Sequence, residues 1–134
     1  MGVRRDGREA AVQFLFSKDI NEDISLDDYD SFFSLCTAKE KARIFAKELL
    51  IGILENKDSI DEKIETYVDN FRLNRLSAID RNVLRLAIFE MLHRNDIPPA
   101  VCINEAIEIS KRFGTEDSGS FVNGVLDKVK SNLK

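Results

Sequence analysis

The sequence predicts an all-α fold of about seven helices, in two small helical bundles packed through one central apolar helix. Three observations carry this expectation. Apolar residues recur at helical spacing nearly everywhere, and no stretch alternates long enough to form a strand. Hydroxyl residues followed three positions later by a carboxylate precede several apolar runs, a pattern in which side chains and backbone satisfy one another's orphan N–H groups. One segment, between Ile79 and Leu92, is apolar almost all round, so it must be covered by neighbours on several sides.

The elements follow in order. A first helix is expected from about Arg4 to Lys18, with Ala11, Val12, Leu15 and Phe16 on its apolar face. An acidic connector containing Asp19, Glu22, Asp23, Asp27, Asp28 and Asp30 comes next, its acids suited to a first helical turn. Ser25 with Asp28 opens a short helix bearing Phe32, Phe33 and Leu35, and Thr37 with Glu40 opens one that reaches about Leu54 through Ile44, Phe45, Leu49 and Ile53. Ser59 with Glu62 opens another, bearing Ile60, Ile64, Tyr67 and Val68. Ser77 with Asp80 starts the long helix that runs through His93, and its residues Val83, Leu84, Leu86, Ala87, Ile88, Phe89 and Met91 leave no wide polar face. This helix is expected at the centre of the C-terminal half, packing against the N-terminal half as well. Pro98-Pro99 starts a further helix, because proline's missing N–H costs nothing in a first turn. Gly114 is expected to end it in the left-handed conformation. Thr115 then caps the last helix, with Glu116 and Asp117 at its positive end. Gly119 and Gly124 fall inside that helix, where each costs about 1 kcal/mol relative to Ala. Close helix packing, or a partner approaching near Gly119, would account for them. The whole reads as a single domain over 1–134, with an N-terminal sub-bundle over about 1–70 and a C-terminal one over about 73–134.

Bulk composition narrows the functional classes. A chain of 134 residues with 43% apolar content can build a real core. A net charge of −4 excludes a uniformly basic nucleic-acid binder but leaves room for a local basic patch. Cys36 and Cys102 stand apart, with no CxxC pair and no histidine at ligand spacing, and are expected as buried thiols in a reducing cytosol. The start MGVRRDGREAA lacks the apolar run of a leader, and no stretch approaches the roughly 18 apolar residues of a membrane span, so a cytoplasmic protein is expected.

Catalytic chemistry finds no footing. His93 is the only histidine and ends a helix, where a cation suits the macrodipole. Neither GxGxxG nor GxxxxGKS occurs, and the carboxylates belong to caps and solvated faces, so no catalytic residue, metal site or cofactor is expected. The N-terminus says more. Arg4, Arg5 and Arg8 share one side of the first helix, which becomes the apolar face further along. That change implies a first turn overhanging the bundle, with its arginines on an open shelf. Cations there oppose the helix dipole, and phosphate, which guanidinium grips in bidentate fashion, would explain them. The rival explanation is a solvated helix end, since Asp6 and Glu9 offset two of the three charges.

The segments IDRNVLRLAIFEM, INEAIEISKRFG and TEDSGSFVNGVLDK, with RRDGREAAVQFLF at the start, closely resemble the NusB transcription antitermination family. From about Asn21 to Leu73 the likeness is one of helical rhythm only. The resemblance implies seven helices in two bundles. It implies binding of a short single-stranded boxA element in ribosomal RNA leaders, together with NusE, a small-subunit ribosomal protein, so that the elongating polymerase passes termination signals. It puts RNA contacts on Arg4, Arg5, Arg8, Phe16, Glu116, Asp117, Ser118 and Phe121, and a NusE contact on Asp80. Stacking of bases on aromatic rings and hydrogen bonds to base edges are the general means of reading single-stranded RNA, and they suit Phe121 and Asp117. Asp6 departs from the family pattern, in which that position is often basic or neutral. The resemblance leaves a homodimer covering the RNA face open. Two other functions compete: a protein-interaction module with a weakened RNA role, and a stand-alone relative of the N-terminal module of RNA cytosine methyltransferases. The absence of a Pro-Cys catalytic motif and of a cofactor-binding domain speaks against the second.

Overall fold

A computed structural model describes residues 2–33, 39–68 and 75–133. Among them run seven α-helices and no strand: α1 (Val3–Ile20), a 3-10 turn (Leu26–Asp28), α2 (Tyr29–Phe33), α3 (Glu40–Glu55), α4 (Lys57–Tyr67), α5 (Ala78–His93), α6 (Pro99–Phe113) and α7 (Ser118–Ser131). The chain divides into two compact units, Met1–Glu55 and Asn56–Lys134. The division falls between α3 and α4, so α4 groups with the second unit. Leu35, Cys36 and the expected helix start at Thr37 lie outside the described residues.

In the first unit, α1 lies against α3. The contact is built from small residues: Gly7, Ala10 and Ala11 on α1, with Ala42 and Ala46 on α3, all buried. A Cβ on Gly7 would stand 2.7 Å from Phe45 Cδ2 and 2.9 Å from the Ala42 carbonyl oxygen, so only glycine permits this approach. The same stripe ends at Phe14, which is wholly buried. Its ring meets Phe32 edge-on at 5.2 Å and Tyr29 at 6.0 Å, spacings at which aromatic quadrupoles attract. Phe14, rather than Phe16, is thus the core aromatic of α1, because it lies seven residues beyond Gly7 on the face turned to α3. Phe16 is half-buried. The Ser25 box forms as expected: the Ser25 N–H donates to Asp28 Oδ2 at 2.9 Å, and the Asp27 N–H donates to Ser25 Oγ.

In the second unit, α5 is central and touches α4, α6 and α7. Every residue from Asn82 to Met91 is buried, as an all-round apolar helix requires. Arg85 belongs to that run, with its side chain only 4% exposed. A charge so enclosed must be matched, since desolvation otherwise costs several kcal/mol. Asp61 of α4 matches it with two bonds, accepting from Nε at 2.8 Å and from Nη2 at 3.0 Å. Arg85 Nη1 donates to Asn82 Oδ1 at 2.9 Å, and Asn82 Nδ2 donates to the Ala78 carbonyl at 2.8 Å. The cluster spans two helices and leaves no member half satisfied, which is the condition for a buried polar network to hold.

Further helix starts follow the expectations at Ser77 and Pro98-Pro99 and depart at Ser59. Ser77 caps α5, its Oγ accepting from the Asp80 N–H at 3.1 Å, and Pro98-Pro99 opens α6. By contrast, α4 starts at Lys57 rather than at Ser59. The cause is the single-residue link Asn56, whose carbonyl already accepts the Ile60 N–H at 2.9 Å, so Ser59 falls inside the first turn. Cys102 is buried, as expected.

Removing one partner of the Arg85–Asp61 pair strands a buried charge. Asp61→Ala is expected to cost about 3–5 kcal/mol, while the joint change Asp61→Leu with Arg85→Met recovers most of that loss. Urea denaturation of both variants checks this, and a loss below about 1 kcal/mol for Asp61→Ala would contradict it.

Candidate functional site

The residues singled out from the sequence divide between the two units, and each group is built by local packing. In the first unit, α1 begins with Gly2 in extended geometry and no side-chain cap. Arg4 is exposed and Arg5 half-buried. Arg8 is only 3% exposed. The guanidinium carbons of Arg4 and Arg8 lie 5.7 Å and 5.6 Å from the centroid of one ring, Phe45 of α3. The expected open shelf therefore exists for Arg4 alone. Arg8 sits under its neighbours because Gly7 brings α3 so close that Phe45 covers the next residue as well. Two cations about one aromatic ring concentrate positive charge at the start of α1, and the ring quadrupole stabilises them there. Asp6, in the same turn, is half-buried.

In the second unit, the turn from α6 to α7 carries Glu116, Asp117 and Ser118. Its geometry differs from the expected cap. Helix α7 starts at Ser118 with Asp117 at its cap position, and no side chain caps it. Ser118 instead reaches backwards: its Oγ accepts from the Thr115 N–H at 3.0 Å and lies 3.3 Å from Thr115 Oγ1. Ser118 is buried, while Glu116 and Asp117 are exposed with neither carboxylate consumed in capping. Gly114 is not left-handed, its φ and ψ being −97° and −164°. It is glycine for want of space: a Cβ would stand 2.4 Å from Ser118 Oγ and 2.8 Å from the Ser110 carbonyl oxygen.

Three further positions complete the second group. Phe121, one turn into α7, is half-buried and borders a groove of about 280 Å³ with Tyr67 of α4. Gly119 packs on α6, where a Cβ would meet Ile107 and Lys111 at 3.8 Å, an ordinary contact. Asp80 is half-buried at the start of α5, and its Oδ1 is enclosed without a hydrogen-bond partner. Sequence reasoning missed Phe45, the platform under Arg4 and Arg8, and it missed Tyr67 as a groove residue. A signal for the first was present, since Gly7 between the arginines marks a close helix approach.

The model of the NusB family matches residues 5–131. The chain belongs to the NusB family. Similar NusB relatives include the transcription antitermination protein NusB of Myxococcus xanthus, 47% identical over 133 residues that cover 96% of this chain and 95% of the relative. That of Methylacidiphilum infernorum is 45% identical over 127 residues, covering 94% of this chain and 89% of the relative. Among solved structures, T. maritima NusB aligns with a TM-score of 0.86 at 44% identity, covering 96% of this chain and 91% of that one. A chain from the crystal structure of antitermination factors NusB and NusE in complex with dsRNA aligns with a TM-score of 0.88 at 25% identity, covering 99% of each.

The unequal burial of the two arginines has a measurable consequence in this NusB family member. Arg8→Ala removes a desolvated cation–π contact and its packed stem, and should cost about 2 kcal/mol. Arg4→Ala, at an exposed contact, should cost no more than about 1 kcal/mol. Equal losses in parallel urea melts would place both side chains in the same environment and contradict the geometry.

Proposed function

We propose that this chain is a non-catalytic, cytoplasmic RNA-binding factor of transcription antitermination. It engages boxA-type single-stranded leader RNA together with NusE, and so promotes processive transcription of ribosomal RNA operons, meeting RNA polymerase indirectly. Family membership over residues 5–131, joined to likeness along 99% of the chain to a member of a NusB–NusE–RNA assembly, carries this reading. Among the described residues no helix is long and apolar enough to cross a membrane.

The roles follow from the surroundings of each residue. Arg4 and Arg5 hold backbone phosphate, and Arg8 adds its charge from beneath while holding Phe45 in place. A phosphate there relieves the repulsion between two guanidinium groups on one ring. Phe16 offers the uncovered part of its ring. Glu116 and Asp117 accept from base amino groups, Ser118 fixes the turn that presents them, and Phe121 stacks a base. Asp80, half-buried at the start of α5, attracts a cationic group of NusE, and a net charge of −4 suits a basic ribosomal partner by steering encounter.

Filter binding with a boxA oligonucleotide, single-stranded and annealed, with and without NusE, tests the reading. The single strand should bind, and bind more tightly with NusE present. Absence of binding under all four conditions would overturn the proposal. Arg4→Ala should weaken binding to every sequence and reduce the slope of log affinity on log salt by about 0.7 for each phosphate it no longer neutralises. An unchanged slope removes Arg4 from the RNA surface.

Asp80→Lys should weaken NusE binding at least tenfold with helix content unchanged by circular dichroism, as a like-charge contact against a basic partner requires (about 1.4 kcal/mol or more). Ordinary NusE affinity in a fully helical variant would sink the role given to Asp80.

A further inference from the structure

We infer that the cavity between α2 and α3 binds a small molecule bearing one oxyanion, a carboxylate or a phosphate monoester. The cavity holds about 350 Å³ and is lined by Tyr29, Asp30, Glu40, Arg43, Ile44 and Lys47, all in the first unit. That volume lies at the small end of ligand sites and suits a compact molecule. The RNA and NusE contacts proposed above use none of these residues.

Arg43 is the observation that points to a ligand. Its Nε is enclosed, and among the described residues it meets no hydrogen-bond partner. A buried donor on a charged group is costly to leave unmade. Arg85 shows how this chain meets that cost elsewhere, since Asp61 accepts from its Nε and Nη2 together. At Arg43 an oxyanion in the cavity supplies the acceptor that the chain does not, and guanidinium grips such a group in bidentate fashion. Lys47, one turn further along α3, brings a second cation to the same cavity. Like charges four residues apart weaken a helix, and an anion between them removes the repulsion. Both cations are held in place. The Lys47 Nζ stands 5.6 Å from the centre of the Tyr29 ring, and Tyr29 is itself buried. The Tyr29 hydroxyl donates to the carbonyl of Arg43, so the ring under one cation is anchored on the backbone of the other.

Asp30 and Glu40 limit the charge of the occupant. Both are exposed, and they balance the two cations of the lining. An RNA strand carries a phosphate at every nucleotide, so its further phosphates would be brought against these acids. A single anionic group on a small body seats on Arg43 and Lys47 without that repulsion.

The test is an NMR titration of the full isotope-labelled chain with inorganic phosphate, with acetate and, separately, with a boxA oligonucleotide, followed on the Arg43 Nε–H and Tyr29 ring signals. Phosphate or acetate should shift both signals saturably, with a dissociation constant in about the millimolar range. Saturation by phosphate alone assigns the site to phosphate monoesters, and saturation by acetate alone to carboxylates. Lys47→Met should weaken the bound ion about tenfold or more, the loss of one hydrogen bond to a charged group, with helix content unchanged by circular dichroism. Arg43→Lys keeps the charge and the backbone bond to Tyr29 but not the fork, and should also weaken binding, read on the Tyr29 ring. An Arg43 signal unmoved by either ion at about 50 mM, a concentration far above that expected of the site, overturns the inference from the wild type alone. A shift that persists unchanged in Lys47→Met is general screening by salt and overturns it too. If the oligonucleotide moves the Arg43 signal at lower concentration than either ion, the cavity belongs to the RNA surface and not to a small molecule.

Discussion

A full positive charge enters the interior of the second unit on Arg85, and the placement of α4 follows from it. Helix α5 is covered from Asn82 to Met91, so its one guanidinium in that run cannot turn to water. Asp61 answers from α4 with two short bonds, and Asn82 answers from one turn earlier on α5. Such a pair is not a large source of net stability, because an apolar pair of the same volume would serve about as well. Its effect is on register. A bidentate bond fixes both the rotation of α4 and its position along α5, which general apolar contact leaves adjustable. The end of α4 is thereby set beside α7, and the Tyr67–Phe121 groove exists because of that setting.

The first unit is governed by a different constraint, the absence of atoms. Glycine and alanine between α1 and α3 allow backbone to approach backbone, and Phe45 is drawn over the start of α1 as a result. Two cations then share one ring. The charge proposed to meet RNA is thus produced by packing, and the side chain deepest in it, Arg8, is as much a part of the core as of the surface. That double duty explains why a simple count of arginines overstated how many stand open to solvent.

Much of the fold was legible because local chemistry decides it. Ser25, Ser77 and the Pro98-Pro99 pair mark helix starts through bonds made within four residues, and the apolar run of α5 declares its burial by composition. What escaped was set by residues distant in sequence. Ser59 has the right spacing for a cap, yet Asn56 takes that place because α3 and α4 are separated by one residue. Phe14 and Phe16 are equally apolar on paper, and only the direction of α3 decides which is enclosed. The turn residues Glu116 and Asp117 are singled out only by likeness to the NusB family, and their sequence alone reads as ordinary first-turn acids. Asp61 could have been found: a cation inside an apolar helix demands a partner, and an acid on a neighbouring helix is the natural source.

Gly114 carries a consequence for how this sequence can change over generations. A methyl group there would strike both a side-chain oxygen of Ser118 and a main-chain oxygen of Ser110. Trimming Ser118 would relieve the first collision, but the second belongs to the backbone of α6, which no substitution can trim. No compensating mutation is therefore within reach at a single neighbouring site, and the position has no neutral exits. The surface acids two and three residues later face no such barrier. A position closed to any side chain and two positions open to many sit side by side in one short turn, so the tip can be substituted while the helices on either side stay where they are.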